Sequence, residues 1–245
     1  MSSQTQRPIQ ERALLRRQAL KTPRAAAFAG IVFAVLFTAS IALIRLALPE
    51  GLEGAETAAA LEANGGMVSL ALNLFPFAGI AFLWFVGVIR DRIGKFEDQL
   101  FSTVFFGSGL LFLAMMFAAA AVAGAILRSY ALESDTLAQN GIITFGRATM
   151  FTITNVYAIR MAGVFMISLA TIWVRTRGMP RVFVLLTYGL ALVMLVVVNL
   201  SVWLILIFPA WVFVISIYIL FVSLRGETVE AEEILGASEL LRGEA

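Results

Sequence analysis

Arg160 is the residue in this sequence most able to do chemistry, because it is a charge inside a long apolar segment. A charged arginine in hydrocarbon costs at least about 2.5 kcal/mol on insertion scales, so we expect it to face the interior of a helix bundle. Tyr157 lies one helical turn away, and Asn155 lies in the same segment. Three interpretations stay open: a structural arginine that ties helices together, a polar pocket for an anion or a polar solute, and an arginine that extends to the membrane surface.

Two prolines and one asparagine could supply acceptors to that arginine. Pro76 and Pro209 have no N–H, so each leaves the carbonyl four residues earlier, Leu72 or Ile205, without its usual helical donor and marks a candidate helix break. Asn73 adds a side-chain oxygen on the same segment as Pro76. Asn73 is therefore a candidate residue of the same polar pocket.

The residue types that are absent exclude most catalytic chemistry. The chain has no histidine and no cysteine, which removes histidine-based acid–base catalysis, thiolate nucleophiles and the usual zinc and haem ligands. The two lysines, Lys21 and Lys95, lie in polar flanks, and all sixteen acidic residues lie in predicted loops or tails. Coupling to protons or sodium normally uses carboxylates at membrane depth. We therefore expect a protein that is not an enzyme and that binds no metal or cofactor.

The elements that position Arg160 are predicted by composition and hydropathy. Hydrophobic residues make up 60% of the 245 residues and the mean hydropathy is +0.92, against about 45–50% apolar residues in soluble domains. Apolar windows of about 20 residues predict an all-α bundle of six transmembrane helices. The predicted spans are 25–47, 69–89, 101–127, 149–174, 182–198 and 202–224. The last two come from one uncharged run that is too long for a single helix, so we place a turn near Asn199–Ser201.

Positive charge predicts the orientation of the bundle. With the N-terminus in the cytoplasm, 14 of the 18 basic residues fall on the cytoplasmic side, as the positive-inside rule favours. Both termini are then cytoplasmic, which agrees with an even number of spans. The interpretation is a multi-pass protein of the cell membrane, of the kind found in the bacterial cytoplasmic membrane. The lipid bilayer is the expected surrounding, and nothing indicates nucleic acid as a partner.

Polar segments flank the membrane domain, 25–224. Residues 1–24 carry six basic and one acidic side chain, net +5, and residues 225–245 carry two basic and six acidic, net −4. The first is predicted to form a basic helix that ends at Pro23, and a short helix in the first outer loop is predicted to end at Asn64–Gly65. The two charged tails either pair, recruit partners of opposite charge, or stay solvated.

Two further motifs concern packing and family. Small residues four apart predict close helix contacts, within the monomer or in a homo-oligomer, at Ala26–Gly30 and Ala120–Gly124. The loop "GVIRDRIGK" resembles the loop between the second and third spans of major facilitator transporters, where it is linked to gating. The matching residues are Gly87, Asp91, Arg92, Gly94 and Lys95. Six spans are half the number of such a transporter, and a short basic turn gives the same pattern.

Two functions are consistent with these observations. The first is a transport-type component or solute pathway that acts through an outward polar pocket around Arg160. The second is a non-catalytic structural or regulatory subunit that binds a membrane partner through its helix faces or its charged tails. An enzyme acting on lipid is the least favoured, because acid–base groups are missing at membrane depth.

Overall fold

The computed structural model describes residues 6–48, 54–93, 99–132, 141–196 and 202–243, and all of the regular structure in them is helical. The elements are α1 (Gln6–Ala47), α2 (Gly54–Ile93), α3 (Gln99–Leu132), α4 (Ile142–Thr152), a π-helical segment (Ile153–Ala158), α5 (Ile159–Thr176), α6 (Arg181–Val196), a 3-10 segment (Val202–Leu206) and α7 (Ile207–Gly243). α4, the π-helical segment and α5 follow one another without a gap, and we call them together the fourth helical stretch. The predicted all-α membrane bundle is confirmed.

Five of the six predicted spans coincide with helices in the described residues that are long and apolar enough to cross a membrane. The remaining one, predicted at 182–198, is α6, which has 16 residues. Sixteen residues make a helix of about 24 Å, against about 30 Å of hydrocarbon. α6 runs antiparallel to α5, since Tyr188 bonds Thr171 at 2.8 Å and a Cβ on Gly163 would lie 3.1 Å from the Ala191 carbonyl oxygen. The predicted turn at 199–201 lies outside the described residues.

Two predicted helix ends are wrong. α1 continues through Pro23 into the membrane, and α2 continues through Asn64 and Gly65. A proline removes only one backbone donor, and a continuous helix satisfies the remaining backbone groups as the chain enters lipid. Asn64 caps another helix instead of ending its own, because its Nδ2 donates to the Ala47 carbonyl oxygen at the end of α1, at 3.3 Å.

The two prolines predicted as helix breaks do not interrupt a helix. Pro76 lies inside α2, which is continuous from Gly54 to Ile93. Pro209 is the third residue of α7 and is buried. In the first turn of a helix an N–H has no intrahelical partner, so a proline there sacrifices no bond. The break before α7 is instead the 3-10 segment that precedes it.

Aromatic rings fill the middle of the bundle. α2 packs against α1 and α3, α1 against α7, α3 against α5, and α5 against α6. Phe82 on α2 lies at the centre, with its ring centroid 4.7 Å from Phe33 on α1 and 5.6 Å from Phe165 on α5. Phe112 on α3 and Phe208 on α7 close the cluster at 4.6 Å from each other. All five rings are fully buried, so the helices meet at a tightly packed core.

The two ends of the bundle differ. At the proximal end, where α1 and α7 extend toward the termini, three arginines lie over phenylalanine rings. The pairs, with the distance from guanidinium carbon to ring centroid, are Arg90–Phe106 at 4.4 Å, Arg175–Phe101 at 4.5 Å and Arg225–Phe221 at 4.2 Å. Arginines and aromatic rings together are typical of the membrane–water interface. We infer that one edge of the hydrocarbon lies at these residues, and the opposite end is called distal below.

Candidate functional site

The fourth helical stretch widens into a π-helix between α4 and α5. The Ile159 N–H donates to the Thr154 carbonyl oxygen, five residues back, instead of to the carbonyl four residues back. The extra residue shifts the downstream face of the helix, and such π segments occur often at functional sites. Here the shift buries two consecutive polar residues, Thr154 and Asn155. No local pattern in the sequence predicts a π segment here.

Arg160 donates a hydrogen bond to this π segment. Its side chain is partly buried, and its Nη1 donates to the carbonyl oxygen of Val156 at 2.7 Å, one turn back on its own helix. The expected acceptors were the Leu72 and Ile205 carbonyls of neighbouring helices, but the hydrogen bond found for Arg160 stays within the fourth helical stretch. The Arg160 guanidinium thus gives the Val156 carbonyl oxygen a side-chain donor, in a segment where the π turn changes which backbone N–H bonds which carbonyl.

The structure does not bring the four predicted pocket residues together. Asn73 is exposed on α2, and Tyr157 is 56% exposed. Asn155 lines a cavity at the distal end, and Arg160 is not among the residues that line it. The distal cavity therefore shares one residue with the predicted pocket and is built mainly from residues that sequence reasoning did not select.

This distal cavity has a volume of about 470 Å³ and is lined by α1, α2, α3 and the fourth helical stretch. That size lies in the range of about 300–1,000 Å³ that small-molecule pockets occupy. Its deeper wall is apolar and includes Ile41 of α1, Phe75 of α2 and Met116 of α3. Exposed Thr144 and Ala148 of α4 also contribute, so the cavity reaches the surface of the bundle.

Two arginines and two buried polar residues line the same cavity. Arg45 comes from the last turn of α1, and Arg147 comes from α4. Thr154 and Asn155 come from the π segment, 7% and 5% exposed. The Nδ2 of Asn155 donates to the Phe151 carbonyl oxygen at 3.2 Å, while its Oδ1 accepts no hydrogen bond from the described residues. A buried amide oxygen that accepts no hydrogen bond is unusual in a folded protein, and this distinguishes the Asn155 part of the cavity wall from the rest.

The depth of the cavity relative to the membrane can be inferred from helix length. The apolar part of the fourth helical stretch, Ile143–Thr176, has 34 residues, or about 51 Å of helix against about 30 Å of hydrocarbon. Because Arg175 stays at the proximal edge, the excess length projects at the distal end. The same holds for Ala59–Asp91 of α2, which has 33 residues. Measured from the proximal edge, Arg45 and Arg147 therefore lie at or beyond the distal edge of the hydrocarbon, and Phe75 and Met116 lie deeper.

The aromatic core closes the bundle beneath the cavity. Phe75 on the cavity wall packs against Phe37 at 5.4 Å, and Phe37 packs against Phe112 at 5.9 Å. In this conformation the cavity ends at these rings. It is a pocket that reaches the surface of the bundle at Thr144 and Ala148.

The remaining predicted residues lie in packing contacts or outside the described part of the chain. Gly30 packs against Ser216 of α7 and Phe85 of α2, Gly124 faces Leu72, and Ala120 lines the distal cavity. Ala26 is buried. Within the major-facilitator-like loop, Gly87, Asp91 and Arg92 form the end of α2, whereas Gly94 and Lys95 are not described. Among the described residues, no three His, Cys, Asp or Glu side chains come together as a metal site would need.

Sequence reasoning missed the two cavity arginines for a physical reason. Arg45 lies at the end of an apolar span, and Arg147 precedes the next predicted span in an outer loop, which is where arginines commonly occur at no cost. Nothing local to either residue shows that the other lies across the same cavity. The only sequence signal that α4 contributes to the cavity is the run of apolar residues before position 149, where the predicted span begins.

No protein-family model, curated protein or solved structure matches this chain significantly. The resemblance to the major facilitator loop therefore rests on the five matching residues alone.

Proposed function

We propose that this protein is a non-enzymatic membrane protein that binds a small molecule in the distal cavity, as a transport-type component does. The observation that carries the proposal is a cavity of about 470 Å³ that combines two arginines with an apolar wall. Such a combination of many apolar and a few polar groups is typical of small-molecule sites. The aromatic closure below the cavity favours binding from the distal side over an open channel.

The proposal includes an orientation. We infer that the termini and the proximal end face the cytoplasm, since 14 of the 18 basic residues then lie inside. The membrane is then a bacterial cytoplasmic membrane or its equivalent, and the distal cavity opens outward. Two cytoplasmic termini require an even number of crossings, so α6 crosses as the fifth of six spans. Reporter fusions near Arg92 and Arg177 should give cytoplasmic signals, and fusions near Glu56 and Asp135 should give external ones. A cytoplasmic signal at Asp135 would contradict the six-span topology.

The natural absence of cysteine allows a direct test of the cavity. Ala123 lines the cavity on α3, and Ala162 is fully buried on α5 and does not line it. In Ala123→Cys, a membrane-impermeant thiol reagent should modify the new cysteine from the distal side of sealed vesicles. Ala162→Cys should stay unmodified from both sides. If the thiol of Ala123→Cys reacts only from the proximal side, or from neither, the proposal of a distally open site is wrong.

A second candidate function is a subunit that binds a partner at the proximal end. Its support is the length of α1 and α7, 42 and 37 residues, which continue into the tails with net charges of +5 and −4. The tails either pair with each other or bind partners of opposite charge. Spin labels at Ser3 and Ser238 should come closer at low salt if the tails pair, since exposed charge pairs are screened by salt. Labels that stay far apart at low salt would rule out direct pairing.

A further inference from the structure

The distal cavity combines a cationic rim with an apolar interior, and this combination limits the chemistry of its ligand. Resting on the proposed function above, we propose that the cavity binds an anionic amphiphile, whose head group lies between Arg45 and Arg147 and whose hydrocarbon chain lies against Ile41, Phe75 and Met116.

The head-group end is defined by the two guanidiniums. Arg45 is on α1 and Arg147 is on α4, and both line the cavity near the distal surface. A guanidinium presents five N–H donors in a planar fork that matches the two oxygens of a carboxylate or phosphate. Both arginines also take part in other interactions, but a group with five donors can serve more than one acceptor. An anion at this depth keeps contact with interfacial water while it binds.

The chain end is defined by the deeper wall. Phe75, Met116 and Ala119 come from α2 and α3 and give the cavity an apolar floor above the aromatic core. Methionine side chains adapt to irregular apolar ligands. Burial of a hydrocarbon chain here removes it from contact with interfacial water and polar head groups.

Other ligand classes fit less well. No carboxylate lies among the described residues that line the cavity, so these residues offer a cation no partner of opposite charge. A small hydrophilic anion such as phosphate would leave the apolar floor in contact with water. The head group of an anionic amphiphile would contact the two arginines while its hydrocarbon chain contacts the apolar floor.

The test uses Ala123→Cys protein in nanodiscs of phosphatidylcholine and measures the rate of modification by a neutral, polar maleimide. Three probes share one chain and differ in head group: decanoate, decanol and decyltrimethylammonium. Because charge-assisted hydrogen bonds are about twice as strong as neutral ones, decanoate should slow modification by about tenfold and the other two by less than about twofold. Equal protection by decanol would overturn the proposal, since it would show no recognition of the anion.

Matched variants locate the effect. Arg45→Gln and Arg147→Gln should each weaken decanoate protection by about tenfold, and Arg45→Lys should retain part of it, because lysine keeps the charge but loses the fork. Arg90→Gln, at the proximal end, should leave protection unchanged.

Ala120→Phe, which narrows the cavity while both arginines remain, should abolish protection. Phe145→Cys, 75% exposed on α4, reports any unspecific effect on the maleimide. Protection unchanged in Ala120→Phe would overturn the proposal even if an arginine variant fails to fold.

Further measurements distinguish two sources of the ligand, the bilayer and the solution. If nanodiscs with added phosphatidylglycerol protect the introduced thiol without decanoate, the bilayer itself supplies the amphiphile. If only free decanoate protects, the ligand is a single-chain molecule from solution or the leaflet. Equal protection by inorganic phosphate alone would show a hydrophilic anion site and overturn the proposal. Normal labelling of Ala123→Cys without anion-selective protection would refute this inference and leave the proposed binding cavity standing, whereas absence of distal labelling would refute the cavity itself.

Discussion

The middle of the bundle and its distal end are built from the same helices but are packed in opposite ways. In the middle, Phe82 contacts buried rings on α1, α3, α5 and α7. At the distal end the same α1, α2 and α3 diverge around a cavity of about 470 Å³. Transmembrane helices gain little from removing apolar surface from lipid, so their association depends on packing. A part of the bundle that leaves packing incomplete and places arginines there is therefore a candidate for binding a ligand.

The arginines differ in a similar way. Arg160, next to the π segment beside the cavity, bonds the carbonyl of Val156 on its own helix and supports the backbone. Arg45 and Arg147, at the distal end, line a space large enough for a ligand. An arginine thus supports a local irregularity of the backbone in one place and lines an open space in the other, depending on what surrounds it.

The strongest test of this comparison is to overfill the packed region. In Gly30→Leu, the new Cβ would collide with Ser216 Oγ and would lie 2.8 Å from the Phe85 ring. Overpacking costs up to about 3 kcal/mol, so we expect a marked loss of thermal stability or of folding. Gly107→Leu on α3 is the control, because a Cβ there meets nothing within 4 Å. Circular dichroism during heating in detergent micelles compares the two, and equal stabilities would contradict the tight contact of α1 with α2 and α7.

Removal of the central ring should have the next largest effect. Phe82→Ala should lower the free energy of unfolding by about 2–3 kcal/mol, somewhat less than in a soluble core because the unfolded helix still lies in apolar lipid. Phe77→Ala, 62% exposed on the same helix, should change it little. Denaturant titration in mixed micelles measures both. A small effect at Phe82 would show that the middle of the bundle is no better packed than its distal end.

Arg160→Leu separates the two kinds of arginine. Loss of the hydrogen bond to the Val156 carbonyl should cost about 1.5–3 kcal/mol of stability, the range for a hydrogen bond with one charged partner. Ligand protection of the thiol introduced by Ala123→Cys should not change, in contrast to Arg147→Gln. If Arg160→Leu keeps full stability but loses ligand protection, the site lies at Arg160 and the assignment to the distal cavity is wrong.

The smallest stability change is expected where the space is already open. Ala123→Leu places a larger side chain at the edge of the distal cavity, so stability should stay within about 1 kcal/mol of the natural protein or rise slightly. The same substitution should reduce the binding of decanoate. Thermal unfolding and a spin-labelled fatty acid measure the two effects. A destabilisation as large as that of Gly30→Leu would show that this space is closed in solution.

The fold was predictable to the extent that it depends on composition along the chain. The apolar windows identified the membrane helices, since about 20 apolar residues match the hydrocarbon thickness wherever they occur. Helix ends were predicted less well. Pro23 and Asn64–Gly65 are local stop signals, and the requirement that backbone groups be satisfied inside a bundle outweighed them.

The sequence by itself determined the all-α membrane class and limited the chemistry, because hydropathy and the absence of His and Cys are properties of single residues. It also selected Asn155, which lines the cavity, and Arg160, which serves the π segment beside it. Only the tertiary structure decided that Arg45 and Arg147, about a hundred positions apart, line one cavity. Their meeting depends on the packing of four helices, which is set by contacts distant in sequence that no local pattern encodes.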